Sequence, residues 1–212
     1  MKLPMKPHRG NGFLFTLCGL DGSGKSTQIE RLEDYLEKVS SRVFVTKQPT
    51  DSVRRSEMFR TYMDQAEHDA YEYRALSLLC ASDRVQHASK EIIPRLEEGF
   101  VVVSDRYYYS CLANLLARGY TEDQWIYDVA EYIPKPDGAF FLDADVETAI
   151  KRVRRRADER ERYIDIGLQH KLKDLYIQIA KANDGTVIGA DMDQEQCFEI
   201  IKKTVEEVMT HV

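Results

Sequence analysis

The chain has 212 residues, a formal charge of -6, 43% hydrophobic and 31% charged residues, a balance that suits one well-buried α/β domain and leaves no clear room for a second core. The negative balance speaks against wholesale coating of nucleic acid, which needs many Lys and Arg against backbone phosphates, so any bound anion is held by a local cationic cluster. The longest apolar runs, FLFTLCGL and FVVV, fall far short of the roughly 20 residues that cross a bilayer.

Residues 1–12, MKLPMKPHRGNG, lack the apolar centre of a secretory signal and are expected to be a disordered, frayed extension of a single domain over 13–212. Cys18, Cys80, Cys111 and Cys197 show neither C-x-x-C nor His-paired metal spacing, which predicts reduced thiols in a cytoplasmic protein. Apolar runs of strand length follow at 13–19, 41–49, 100–106, 138–145 and 185–190. Helical periodicity covers 26–39, 68–97, 121–132, 146–182 with an interruption near 157–162, and 193–209. The alternation predicts a three-layer α/β fold, a five-stranded mostly parallel sheet flanked by helices, with ligands beyond the carboxyl ends of the strands.

Between the first strand and the first helix lies LCGLDGSGKSTQ. Gly19, Gly24, Lys25 and Ser26 satisfy G-x-x-x-x-G-K-S/T in the strand-to-helix setting that a phosphate-binding P-loop requires. The loop runs through Leu20, Asp21, Gly22, Ser23 and on to Thr27. Its backbone N–H groups and the helix N-terminus can cradle ATP phosphates, Lys25 can reach the β and γ phosphates, and Ser26 offers a hydroxyl to Mg²⁺. GTPase switches, ATPase motors and small-molecule kinases share this cradle, so it does not name the reaction.

VVVSDRYYYS then places Asp105 and Arg106 at a buried strand end, where the carboxylate can hold hydrated Mg²⁺ and the guanidinium can grip a second phosphate. A strand-end salt bridge is the plainer reading of that pair. Tyr108 and Tyr109 read as packing residues, and Tyr107 as a candidate on the acceptor side. Further on, AIKRVRRRADERER carries Arg152, Arg156 and Arg160 at i, i+4 and i+8, one stripe if the helix continues, with Arg155 and Arg162 nearby. A charge run is usually a solvated face. Mobile arginines that close on a transferring phosphoryl group are worth ~10³ to 10⁵ in rate, which makes a lid over about 155–163 the functional reading, with Arg156 and Arg160 as its active members.

Together GLDGSGKSTQ, DRYYYS, PKPDGAFFLDADVETAIKRVRRR and GADMDQEQCFEIIKKTVEEV resemble thymidylate kinase, the P-loop enzyme that moves the γ phosphate of ATP onto thymidine monophosphate. The likeness runs from about Phe13 to about Met209. It implies a nucleoside monophosphate kinase, with Asp21 near the acceptor's sugar hydroxyl and phosphate, Arg106 on the acceptor phosphate, and Asp105 beside the metal. It makes TKQPTDS a second phosphate-binding loop, with Lys47 where the family usually carries arginine, and Arg84 the reader of the thymine edge. Tyr107 and Ser110 fall on the acceptor side of the same motif. Because Gly22 stands where some members carry arginine, the catalytic arginines are expected from the lid. The resemblance also implies a homodimer.

The departures sit in the base pocket. Cys80 occupies the position of the aromatic that stacks on thymine, Asn114 that of the aromatic near the sugar, and Leu115 that of its polar neighbour. Losing a stacking aromatic removes about 1–3 kcal/mol per base. The resemblance therefore implies dTMP as acceptor first, a different or modified monophosphate, even a ribonucleotide, as the alternative, and a non-catalytic nucleotide-binding protein as a third reading.

Overall fold

The computed structural model describes residues 1–64, 70–160, 162–189 and 192–210. Its centre is a parallel sheet in the order β3 (Val43–Lys47), β4 (Val101–Asp105), β2 (Phe13–Gly19), β6 (Gly138–Leu142) and β7 (Thr186–Ile188). The strands read as unbroken apolar runs because both faces are covered. Phe15, Leu17, Val101, Val103 and Phe140 pack on one side with Ile29 and Leu32 of α1 (Lys25–Val39) and Phe198 and Ile201 of α10 (Gln194–Thr210). Leu14, Cys18, Val102 and Phe141 pack on the other with residues of α4 (Tyr73–His87), α6 (Tyr109–Ala117) and α9 (Ile166–Ala182). The period-two alternation of strand side chains divides one apolar run between two cores.

Register sets the site. Asp105 lies across from Leu17 in the β2–β4 ladder and across from Lys47 in the β3–β4 ladder. Parallel strands end on the same side, so the loop after Gly19, Lys47 and Asp105–Arg106 share one edge.

The helical segments depart from the periodicity reading in four places. Residues 51–64 hold two short helices that it does not predict, α2 (Asp51–Arg54) and α3 (Glu57–Asp64). It does not predict α6 either, because Tyr109, Ser110, Cys111, Leu112, Ala113, Leu115 and Ala117 are all buried and a helix covered nearly all round shows no polar face. The segment expected over 68–97 is α4, a π-helical turn at Ala88–Ile92, and α5 (Ile93–Glu97); its residues 68–69 lie outside the described ones. The 121–132 segment contracts to α7 (Trp125–Ala130).

The first twelve residues do not fray as expected. Leu3 and Met5 are buried, the Leu3 N–H donates to Asn183 Oδ1 at 2.8 Å, and β1 (Lys6–Pro7) pairs in parallel with β5 (Pro134–Lys135). The physical reason is the pair of apolar side chains at alternating positions, which reach a core cluster that also holds Ile179 and Ala180 of α9.

Candidate active site

A cleft of about 540 Å³ opens at the shared strand edge. Of the sequence-predicted residues it brings together Leu20, Asp21, Gly22, Gly24, Lys25, Ser26 and Thr27 from the loop, and Lys47, Asp105 and Arg106 from the neighbouring strand ends. Cys80, Arg84, Ser110, Asn114 and Arg156 line it as well. Gly19 and Ser23 stand behind this wall. Gly19 presents its carbonyl to Lys25 and Arg106, and Ser23 Oγ is buried without a partner.

The loop conformation depends on Gly22. Its φ is 80°, and a Cβ there would sit 2.2 Å from the Ala149 carbonyl oxygen on α8 (Val146–Arg154), so this chain cannot carry a side chain at that position without moving α8. Lys25 opens α1 after Gly24. Its ammonium is buried and donates to the carbonyls of Leu20 at 2.6 Å and Gly19 at 3.2 Å. Burial, then the nearby Arg106 charge, pulls its pKa down to about 7, the signature of a cation held where an anion is wanted.

Arg106 adopts φ 66°, a left-handed conformation that non-glycine residues take at a cost of about 1–3 kcal/mol. Its surroundings hold it there. Its N–H donates to Leu17 O at 2.8 Å, its carbonyl accepts from Ser104 Oγ at 2.7 Å, and its guanidinium reaches Gly19 O and Tyr176 Oη, both at 3.0 Å, and Asp21 Oδ1 at 2.6 Å. Tyr176 in turn donates to Ser110 Oγ at 3.1 Å. This turn swings the guanidinium back over the P-loop.

Asp21 receives a second arginine, Arg162, whose Nη2 lies 3.0 Å from Oδ2. Burial alone would raise this carboxyl, but Arg106, Lys25 and Arg162 outweigh it and hold it well below the usual carboxylate range. Asp105 pairs through Oδ2 with Lys47 Nζ at 3.2 Å, while Oδ1 is buried without a partner. That orphaned oxygen, with the exposed Ser26 hydroxyl in the same cleft, fits a hydrated divalent cation. Among the described residues no group of three or more His, Cys, Asp or Glu forms a metal cage.

The arginine stripe does not form. Helix α8 ends at Arg154 and a 3₁₀ turn occupies Ala157–Glu159, so the four-residue phase linking Arg152, Arg156 and Arg160 is lost. Arg160 is exposed and outside the cleft wall, its carbonyl taken by Arg154. Arg162, nearby in the sequence, is the arginine of this segment that reaches the P-loop, bonded to Asp21 at 3.0 Å and to Glu159 at 2.9 Å. Arg156 stays on the wall, 3.6 Å from Glu159, and Arg152 Nη1 bonds Gly22 O at 3.3 Å. Residue 161 of the expected lid lies outside the described residues.

Tyr107 also departs from expectation. It is fully buried, donates to Pro134 O at 2.7 Å and packs on Tyr109; the ring belongs to the core rather than to the cleft. On the α4 side of the cleft, Arg84 is 2% exposed, its Nη1 donates to Cys80 O at 2.9 Å, and its Nε is buried without a partner. Ser77 Oγ, two turns earlier on α4, is likewise unsatisfied. Several wall residues escape the sequence reading: Arg54 and Arg60 on the unexpected short helices, and Arg118, Tyr62 and Tyr73. No motif marks these positions.

Similarity to known proteins covers most of the chain. Residues 17–203 match the family thymidylate kinase. A probable thymidylate kinase of Pyrococcus horikoshii is 37% identical over 172 residues, covering 80% of this chain and 83% of the relative. One from Thermococcus kodakarensis is 35% identical over 199 residues, 91% of this chain and 97% of the relative. The solved structure of thymidylate kinase from Candida albicans superimposes with a TM-score of 0.71 at 24% identity, over 95% of this chain and 94% of that one; it supports the α/β fold.

Proposed function

The chain belongs to the thymidylate kinase family, and from that premise we propose that it transfers the γ phosphate of ATP to dTMP, with Lys25 and Arg106 gathering the two anions. The observation that carries the reading is the meeting, on one cleft, of a buried lysine lying on P-loop carbonyls and a strand-end arginine turned back over the same loop.

The loop amides and Lys25 bind the β and γ phosphates of ATP, and the α1 N-terminus adds its positive end. Arg106 and Lys47 hold the acceptor phosphate from the neighbouring strand ends. Asp21 orients Arg106 and Arg162 and lies within reach of the acceptor's sugar hydroxyl, as the family resemblance implies. Arg156 and Arg162, from the segment over the cleft, spread the charge of the transferring group. Ser26 and Asp105 would hold a hydrated Mg²⁺, which when bound screens the phosphate charges. No covalent intermediate is needed, because positioning and charge stabilisation carry phosphoryl transfer. Among the described residues no helix is long and apolar enough to cross a membrane, and the family resemblance supports a cytoplasmic homodimer.

Cys80 and Asn114 on the acceptor wall favour a second reading, in which the base and sugar are less tightly specified. Broad substrate specificity is a property of the Candida albicans thymidylate kinase, whose structure reveals its origin in that protein. The discriminating experiment is ATP-dependent ADP release across a panel of monophosphates. A wide margin for dTMP supports the first reading, comparable rates with other bases or ribose sugars support the second, and no turnover of any monophosphate leaves a binding protein only.

A further inference from the structure

The cleft contains an arginine whose charge has no carboxylate beside it among the described residues. Arg106 and Arg162 pair with Asp21, and Lys47 pairs with Asp105. Arg118, at the end of α6, makes no ion pair with any described residue. Yet it is firmly held. Its Nε donates to Tyr62 Oη, and its Nη1 donates to Asn114 O at 2.9 Å and Asn114 Oδ1 at 3.0 Å. Its guanidinium carbon lies 4.1 Å from the ring centre of Tyr73 and 5.0 Å from that of Tyr62.

Those contacts use Nε and Nη1 and leave the two N–H groups of Nη2 without an acceptor among the described residues. Arg118 lines both the main cleft and a side cavity of about 60 Å³ whose wall includes Asp21 and Arg162. Ser110, Asn114 and Arg118 are spaced four residues apart along one helix and its cap and all face the cleft, so the helix runs from the phosphate end, where Ser110 meets Tyr176 and through it Arg106, outward to Arg118. A fixed guanidinium with no ion pair among the described residues, at the outer end of an acceptor pocket, is suited to bond an oxygen of a ligand. Asn114 is committed to this arrangement, because its Nδ2 donates to Ser110 O at 2.9 Å while its carbonyls accept from Arg118.

We infer that Arg118 is a specificity-determining contact of the acceptor nucleotide, its Nη2 donating to a nucleoside oxygen, either a sugar hydroxyl or a base carbonyl, with Asn114 as the positioning residue. The inference rests on the kinase reading above and gives the outer wall of that same site a role. It also explains how a pocket with Cys80 and Asn114 in place of aromatic rings still grips its acceptor.

The test compares wild type with Arg118→Met, Arg118→Lys and Asn114→Ala, using ATP with dTMP and with its 2′,3′-dideoxy analogue. Arg118→Met is expected to raise KM for dTMP roughly 10- to 100-fold, the range for a charged hydrogen bond, with KM for ATP within about twofold. Arg118→Lys recovers part of the loss, and Asn114→Ala shifts KM for dTMP in the same direction by less. If the partner is a sugar hydroxyl, Arg118→Met adds no further loss with the dideoxy analogue; if it is a base carbonyl, the same factor persists. The inference is overturned if KM for dTMP stays within twofold of wild type, or if KM for both substrates rises together as in a loosened fold. Calorimetric titration of dTMP, run in parallel, reads the Arg118 contribution even if wild type turned over no dTMP, an outcome that would count against the kinase reading instead.

Discussion

Nη2 of Arg106 lies 2.6 Å from Oδ1 of Asp21, tying the end of β4 to the P-loop that follows β2. The other carboxylate oxygen is taken by Arg162, so one acid of the P-loop holds both the strand-end arginine and the segment over the cleft.

Asp21→Asn removes the charge that lets Arg106, Lys25 and Arg162 crowd together. Losing hydrogen bonds to charged groups costs about 1.5–3 kcal/mol, so the melting temperature is expected to fall by several degrees. Inorganic phosphate should restore part of that fall by supplying the missing anion. The sign with pH follows from the depressed carboxyl: its stabilisation is present above the unfolded value near ~3.9 and is lost as pH falls through the lower folded value. The gap between wild type and variant should persist from pH 8 down to about 4 and close only below that. A gap that closes by pH 6 would contradict the clasp.

Lys25, at about 7 in the free protein, is largely neutral at pH 8. Phosphate oxygens beside it favour the ammonium, so ATP binding should take up a proton there and little at pH 6. Calorimetry in two buffers of different ionisation enthalpy reads the uptake directly. ATP affinity should weaken about tenfold per pH unit above that value, and Lys25→Met should abolish the buffer dependence.

The N-terminal segment is a structural strap. Leu3→Ala is expected to cost about 2–5 kcal/mol, as for other buried leucines, read as a lowered melting temperature with kcat retained. His8 lies 2.8 Å from Asp137 Oδ2, and that hydrogen bond raises its pKa although burial opposes the rise. A raised folded value means the stabilisation is fully present below the unfolded value near ~6.5 and fades as pH climbs through the folded one. The melting difference between wild type and His8→Gln should therefore be largest in mild acid and shrink in base.

The sheet and the placement of the loop and strand-end residues on one cleft are legible in the sequence because strands and P-loops are written locally. Phe13–Gly19 matches the predicted strand residue for residue, and Lys25, Asp105 and Arg106 stand out by motif and strand position alone. Three things are not legible. Tyr107 sits beside a cleft residue in sequence, but the left-handed turn at Arg106 sends the two side chains in different directions. Arg162 rather than Arg160 reaches the P-loop acid, because the end of a helix inside an unbroken arginine run carries no Gly or Pro to mark it. Arg118 depends on Tyr62 and Tyr73 from distant elements, a relationship that no spacing within one helix can reveal.

The most direct test of the central claim, that Lys25 and Arg106 bring two phosphates together on one cleft, follows label from γ-³²P-ATP into the product with dTMP as acceptor. Wild type should yield labelled dTDP. Lys25→Ala and Arg106→Ala should each yield almost none, with KM for ATP most affected in the first and KM for dTMP in the second, and with melting temperatures that show both proteins folded. Labelled dTDP at wild-type rate from either folded variant would contradict the account.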